Sequence, residues 1–97
     1  MPRYIVLWNW TEQGIKEAKD SPKRVAEAKD GVEKAGGKWI DFYYTMGEYD
    51  GVLIMELPND EKAMSLLLAI GIKGSVRTKT LKAFPEDEAA KAIEGLP

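Results

Sequence analysis

The side chains that could do chemistry in this chain are carboxylates, arginines and tyrosines, because the sequence contains no histidine and no cysteine. Without cysteine there is no thiolate nucleophile, no disulfide and no Cys-ligated metal. Without histidine, the commonest general base and metal ligand is missing. Carboxylates alone would need a tight cluster to hold a metal, and the acidic pairs here fit helix starts better. We therefore expect no metal and no cofactor.

Asp50, in the segment Gly47-Glu48-Tyr49-Asp50, is one candidate for acid–base catalysis, with Tyr44 as its neighbour. Burial moves a carboxyl group toward the working range of a general base, so a partly desolvated aspartate could accept a proton. The alternative, which we favour, is structural. In it the glycine makes a turn, the tyrosine packs, and the aspartate bonds to backbone or to a guanidinium.

A second candidate is the segment Thr11-x-Gln13-Gly14, between the first predicted strand and the first helix. Glycine lets backbone N–H groups approach a ligand, and helix N-termini attract anions. However, a Walker-type phosphate loop needs more glycines and a following lysine. The alternative is a capped turn without a ligand.

Arg24 and Arg77 could each hold a carboxylate with two parallel hydrogen bonds. Arg24 falls in the first turn of a predicted helix, where the dipole disfavours a cation. We therefore expect it to have a partner, either Asp41, Asp50 or a bound anion, although a structural ion pair is the simpler interpretation. The candidate ligand-binding residues are Thr11, Gln13, Gly14, Arg24, Tyr44, Asp50, Arg77 and Thr78.

Four aromatic side chains, Trp8, Trp10, Tyr43 and Tyr44, could line a flat hydrophobic pocket. Ligand pockets are commonly lined in this way. Aromatic residues at alternate strand positions are also typical of a core or of a subunit interface, and that interpretation stays open here.

These residues are positioned by elements whose limits the sequence indicates. Ser21-Pro22 is a helix start, with serine as the N-cap and proline in the first turn, and Gly36 ends that helix. Gly47-Glu48 suits a two-residue hairpin turn, and Asn59 or Asp60 caps the next helix. The predicted strands are 4–8, 38–46, 49–57 and 76–84, and the predicted helices are 22–35, 60–70 and 86–95.

The order strand, helix, strand, strand, helix, strand predicts a ferredoxin-like α+β fold. Its four-stranded antiparallel sheet would have the order 4-1-3-2, with helices on one face. A chain of 97 residues forms one domain. We expect it to span 1–97, with a core at 3–84 and a short C-terminal helix at 86–95.

The face of the sheet away from the helices is predicted to be apolar. An antiparallel strand facing water alternates apolar and polar residues, whereas the first and third strands here are apolar on both sides. This open face would present Ile5, Leu7, Trp39, Tyr43, Val52 and Ile54. A patch of that kind is larger than monomers usually expose. We therefore predict a homodimer through the open face, and a higher oligomer is possible because the helix at 63–70 is apolar nearly all round.

The ordered set of motifs resembles the GYD-domain family over roughly residues 3–84. The motifs are Thr11-Glu12-Gln13-Gly14, Ser21-Pro22 with Arg24, Gly36-Gly37, Tyr44 with Gly47-Glu48-Tyr49-Asp50, and Gly71 to Arg77-Thr78. The resemblance implies a ferredoxin-like fold that dimerises through its sheets, similar to the dimeric α/β-barrel superfamily. It implies no agreed activity.

Three functions remain open from the sequence. The chain could be a cytoplasmic oligomer that binds a small organic molecule between sheet and helices. It could be a cofactor-independent enzyme of monooxygenase or isomerase type that uses Asp50, Tyr44 and an arginine. It could also be a regulatory module like the ACT domains.

Two classes of partner are not expected. The chain has 14 Lys and Arg against 16 Asp and Glu, so the basic excess of nucleic-acid binders is missing. The longest apolar stretch is also far short of the ~20 residues that a membrane span needs.

Overall fold

The computed structural model describes residues 1–97, in which four strands form one antiparallel sheet of order β2-β3-β1-β4. The elements are β1 (Arg3–Trp10), α1 (Glu12–Lys16), a 3-10 turn (Ala18–Asp20), α2 (Ser21–Lys34), β2 (Lys38–Tyr44), β3 (Gly51–Glu56), α3 (Asp60–Ile72), β4 (Val76–Ala83) and α4 (Glu86–Glu94). This is the predicted strand order read from the opposite edge, so the ferredoxin-like α+β fold is confirmed. No helix combines the length and the hydropathy that crossing a bilayer requires.

The core lies between the two central strands and the helices α2 and α3. Tyr4 and Val6 on β1 and Met55 on β3 are buried there, and Val32 of α2 and Ala63 of α3 pack against them. Because side chains alternate along a strand, the intervening residues of β1 and β3 point to the open face.

The helix ends follow local rules at most positions. The Asn59 side chain accepts the N–H of Lys62 at 2.9 Å and caps α3. Gly36 has a φ of +85° just after α2, a conformation that glycine adopts without steric cost. The expected serine cap of α2 is wrong, since Ser21 already has helical angles, φ −55° and ψ −45°.

The prediction that Trp39 lies on the open face of the sheet is wrong. Trp39 pairs with Met55 and packs against the core, whereas Asp41 pairs with Ile54 two residues later. The register shift between these pairs leaves Ile40 as an extra residue, and one extra residue exchanges the two faces of a strand. The open face was therefore the correct prediction for Tyr43 and the wrong one for Trp39.

The hairpin between β2 and β3 is wider than the expected two-residue turn. The strands end at Tyr44 and begin at Gly51, and residues 45–50 form the loop. A hydrogen bond of 2.9 Å from the Thr45 N–H to the Asp50 carbonyl closes it.

The open face is apolar and exposed, as the sequence predicts, and β4 adds Leu81 opposite Ile5. Tyr43 is 52% exposed and Leu81 is 54% exposed. The helix α4 does not roof this face, since it has no buried residue.

Candidate functional site

A cavity of about 220 Å³ lies between α2, α3 and the helix-facing side of the sheet. Twelve of its 19 lining residues are hydrophobic, and they come from all four strands or the segments next to them and from both helices. A predominantly apolar concave space with a few polar groups is the usual form of a small-molecule site.

Small side chains on the two helices keep this space open. Ala28 and Gly31 of α2 and Ala69 of α3 line it. The helices approach each other at Gly31, where a Cβ atom would lie 3.2 Å from Leu66 Cδ1. A larger residue at Ala28, the less exposed of the two alanines, would take up part of this volume.

Aromatic rings form one side of the cavity, which we call the aromatic floor (Trp8, Trp10, Trp39 and Phe42). Trp8 stacks on Phe42 at 5.8 Å between centroids and meets Trp10 edge-on at 5.0 Å. Such pairs hold each ring in a defined orientation. Of the four aromatic residues singled out in the sequence, Trp8 and Trp10 line the cavity, whereas Tyr43 lies on the open face.

The mouth of the cavity carries three charged side chains, Arg24, Glu27 and Lys73. Lys73 Nζ lies 2.9 Å from Glu27 Oε2 and joins α3 to α2. This hydrogen bond and the charge of Lys73 lower the pKa of Glu27, so the glutamate is ionised at neutral pH. The Arg24 guanidinium lies over the Trp10 ring, 6.0 Å from its centroid.

Trp8 is the core residue with an unsatisfied polar atom. It is 5% exposed, and its indole Nε1 has no hydrogen-bond partner. Most buried N–H groups in proteins have an acceptor. The orphaned donor thus belongs to a residue that also lines the cavity.

Thr11, Gln13 and Gly14 dock the start of α1 onto the segment before β4. Thr11 Oγ1 accepts the N–H of Gly14 at 3.0 Å and caps α1, while the Thr11 N–H donates to the Ser75 carbonyl at 3.1 Å. The Gln13 side chain lies beside Gly74. A Cβ on Gly14 would come within 1.8 Å of the Ser75 oxygen, so the glycine is required for this close approach.

Tyr44 contacts α2 rather than Asp50. Its hydroxyl lies 2.8 Å from Ser21 Oγ, and its ring stacks on Trp10 with 6.4 Å between centroids. Ser21 is only 5% exposed, so this hydrogen bond satisfies a buried hydroxyl at the first residue of α2.

Asp50 ties the hairpin loop to the end of β1. Its Oδ2 accepts the Trp10 N–H at 2.9 Å and the Asn9 side-chain amide at 3.4 Å. Its own N–H donates to the Trp8 carbonyl at 2.9 Å. The carboxylate does not line the cavity, and these contacts are those of a residue that fixes a loop.

Arg77 and Thr78 lie on opposite faces of β4. Thr78 pairs with Trp8 in the sheet and reaches the cavity, whereas Arg77 pairs with Asn9 and is exposed. Among the eight candidate ligand-binding residues, Arg24 and Thr78 line the cavity.

Sequence reasoning missed Ser21, Glu27 and Lys73 as cavity residues. A usable signal was present for the first two, because residues at spacings of three or four share one face of α2, and this face carries Ser21, Arg24, Glu27, Ala28 and Gly31. The position of Lys73 had no such signal, since its pairing with Glu27 joins residues far apart in the sequence.

Comparison with known proteins gives a family and a curated relative. The family model described as GYD domain matches residues 4–93. The chain is 31% identical over 86 residues to a protein of Thermus thermophilus named glutamine synthetase and cystathionine beta-lyase binding protein. The alignment covers 88% of this chain and 90% of that relative.

Two solved structures have a similar fold. The structure of MtbAldR has a TM-score of 0.68 at 10% identity over 88% of this chain. The feast or famine regulatory protein from M. tuberculosis, complexed with L-methionine, has a TM-score of 0.66 at 18% identity over 88% of this chain. This chain covers 52% and 51% of those two chains, about half their length. At these identities the likeness concerns the fold alone.

Proposed function

Because the chain belongs to the GYD-domain family, we propose that it works as a cytoplasmic homodimer that holds a small organic molecule between its helices and its sheet. The observation that carries this proposal is the unfilled apolar cavity under α2 and α3. The dimer is the assembly in which we expect the binding domain to be stable.

The dimer is supported by the open face of the sheet. Six large side chains lie together on it, namely Ile5, Leu7, Tyr43, Val52, Ile54 and Leu81, and the charged residues Arg3, Glu56, Asp41 and Lys79 lie around them. Full burial of such a side chain stabilises by roughly 1.5–3 kcal/mol. A second copy would bring an identical apolar face, which is the self-complementary arrangement of a two-fold interface.

The total surface area also supports pairing. The chain exposes 6697 Å², whereas a folded monomer of its mass, 10.8 kDa, is expected to expose about 5,500 Å². The excess of about 1,200 Å² is larger than the roughly 800 Å² that each partner buries in a standard interface, and α4, which has no buried residue, contributes to it.

The size and lining of the cavity define what it can hold. A dry cavity of about 150 Å³ lined by apolar side chains is known to bind benzene, and the cavity here is larger, at about 220 Å³. A ligand of one ring with a short substituent fits this description.

The experiment uses toluene as the probe and the three indole N–H signals of the NMR spectrum as reporters, since all three tryptophans line the cavity. Toluene should shift these signals in a saturable way. Ala28→Leu, at a partly buried position of the cavity wall, should abolish the shift, and Ala26→Leu, on the exposed side of α2, should preserve it. A spectrum that toluene leaves unchanged would refute the binding function.

We also propose that the chain binds another protein through α3. Met64, Leu68 and Ile72 form an exposed apolar stripe at spacings of four residues, and Ile72 is 85% exposed. The Thermus relative is named for binding two enzymes, which gives the probes. Immobilised glutamine synthetase and cystathionine beta-lyase should bind the native chain, more weakly the Leu68→Asp variant, and normally the Leu96→Asp variant on the C-terminal tail. If the native chain, the Leu68→Asp variant and the Leu96→Asp variant bind the enzymes equally, the apolar stripe has no role in binding.

A catalytic role for Asp50 and Tyr44 is the weaker proposal. The Asp50 carboxylate already accepts two N–H groups, and the Tyr44 hydroxyl is engaged with Ser21. Neither residue lines the cavity. Binding is therefore better supported than a monooxygenase or isomerase reaction.

A further inference from the structure

We infer that the cavity selects a small apolar monocarboxylate, with the hydrocarbon group against the aromatic floor and the carboxylate at Arg24. This inference rests on the proposed binding function and specifies its ligand class. It follows from three features, namely the unmatched charge of Arg24, the pairing of the other two charges, and the composition of the cavity wall.

Arg24 forms no direct ion pair in the chain, and Glu27, on which its charge acts, is bonded to Lys73. The five ion pairs involve other residues. Its own hydrogen bonds go to main-chain carbonyls, those of Glu17 at 3.2 Å and Gly14 at 3.5 Å. A guanidinium carries five N–H donors in a planar fork that matches a carboxylate. Arg24 therefore retains donors for a bound anion, and neither Asp41 nor Asp50, the partners considered from the sequence, takes them.

The other two charges at the mouth neutralise each other. Lys73 and Glu27 are joined at 2.9 Å, which leaves the positive charge of Arg24 as the net charge of the lining. A zwitterionic amino acid would need a free acceptor for its ammonium group, and the only carboxylate in the lining is already paired. An anion with a single negative charge therefore complements this mouth better than a zwitterion.

The position of the guanidinium fixes the orientation of such a ligand. Arg24 lies over the Trp10 ring, and Trp10 meets Trp8 edge-on, so the cation lies at the end of the aromatic floor. A carboxylate at Arg24 places its hydrocarbon group on Trp8 and Phe42, which stack on each other. Burial of that group is favourable in proportion to the apolar area removed from water.

The test compares phenylacetate with its uncharged isostere phenylacetamide, using the full chain and the same indole N–H signals. A charge-assisted hydrogen-bond pair to an arginine should make phenylacetate bind roughly tenfold or more tightly than the amide. Arg24→Gln should remove this preference, so that phenylacetate and phenylacetamide bind to the variant equally. Lys23→Gln, which removes a neighbouring positive charge from the same helix turn, should retain the preference.

The outcomes separate the two proposals. If toluene binds but phenylacetate and phenylacetamide bind equally, the carboxylate inference is overturned and the binding cavity stands. The inference is equally overturned if Lys23→Gln reduces the preference as much as Arg24→Gln, since the effect would then be one of general charge. If neither toluene nor phenylacetate binds, the proposed function itself fails.

Discussion

The indole of Trp8 lies directly on Gly51, its partner in the neighbouring strand. A Cβ atom on Gly51 would come within 2.1 Å of both Cε2 and Cζ2 of the ring. The glycine thus lets the largest side chain of β1 lie flat against β3, with Phe42 stacked beside it.

Gly51→Ala should therefore destabilise the protein by about 1–3 kcal/mol, the usual cost of overpacking a core. Urea denaturation of the native chain and the variant gives this difference. Gly71→Ala is the matched control, because a Cβ there meets no atom within 4 Å and alanine favours a helix by roughly 0.5–1 kcal/mol over glycine. An equal loss of unfolding free energy in Gly51→Ala and Gly71→Ala would contradict the close approach of the Trp8 ring to Gly51.

The bond between Tyr44 and Ser21 predicts a second effect. Tyr44→Phe leaves the buried Ser21 hydroxyl without its partner, so we expect a loss of about 1 kcal/mol in unfolding free energy. Tyr49→Phe should change stability little, because the hydrogen bond between Tyr49 and Thr45 uses the main-chain carbonyl of Tyr49, which phenylalanine keeps. A double-mutant cycle with Ser21→Ala measures the coupling, and a coupling near zero would mean that the two hydroxyls do not interact.

The contact between Tyr4 and Asp60 predicts a pH dependence at both extremes. The Tyr4 hydroxyl lies 2.5 Å from Asp60 Oδ1, and burial together with this carboxylate raises the pKa of Tyr4 to about 12 from an ordinary value of 10.0. Its contribution to stability is complete below pH 10 and is lost as the pH rises from 10 toward 12. The hydrogen bonds from Tyr4 and Lys82 lower the pKa of Asp60 below its ordinary 3.8, so that contribution is lost as acid protonates the folded carboxylate.

Tyr4→Phe provides the comparison for this prediction. The native chain should exceed the variant in unfolding free energy most strongly between about pH 4 and pH 10, since both groups contribute in that range. Denaturant titrations across the pH range give the difference. A difference that stays constant from acid to alkaline pH would show that the pair is not coupled to folding.

Much of the fold could be predicted because it depends on local rules. The alternation of β1 assigned Tyr4, Val6 and Trp8 to one face, and Asn59 at a helix start predicted its cap. Trp39 was assigned to the wrong face of the sheet. The register shift that follows it depends on pairing with β3 rather than on the residues of β2. The width of the hairpin loop likewise depends on Asp50 bonding to β1.

The candidate site was only partly predictable for the same reason. The dipole argument identified Arg24 as a cation that needs a partner, and its lack of a carboxylate emerges only from the tertiary structure. The cavity depends on what lies opposite Ala28 and Ala69, which the spacing of one helix does not reveal. The pairing of Glu27 with Lys73 could not be predicted, because it joins residues that are far apart in the sequence.

The open face predicts how single charges change the assembly. Ile54→Asp places a carboxylate among the apolar side chains of β3, and in a dimer it would be buried without a partner. We expect this variant to dissociate or unfold. Ile93→Asp, on the exposed α4, should assemble like the native chain, and loss of assembly in both variants would argue against the specific interface.

Sedimentation equilibrium of the native chain at micromolar concentration tests the central claim, pairing through the open face, most directly. We predict a species of twice the chain mass of 10.8 kDa, which the Ile54→Asp variant does not form. A single species of the chain mass in the native protein would contradict the dimer, since the apolar face would then be stable in water on its own.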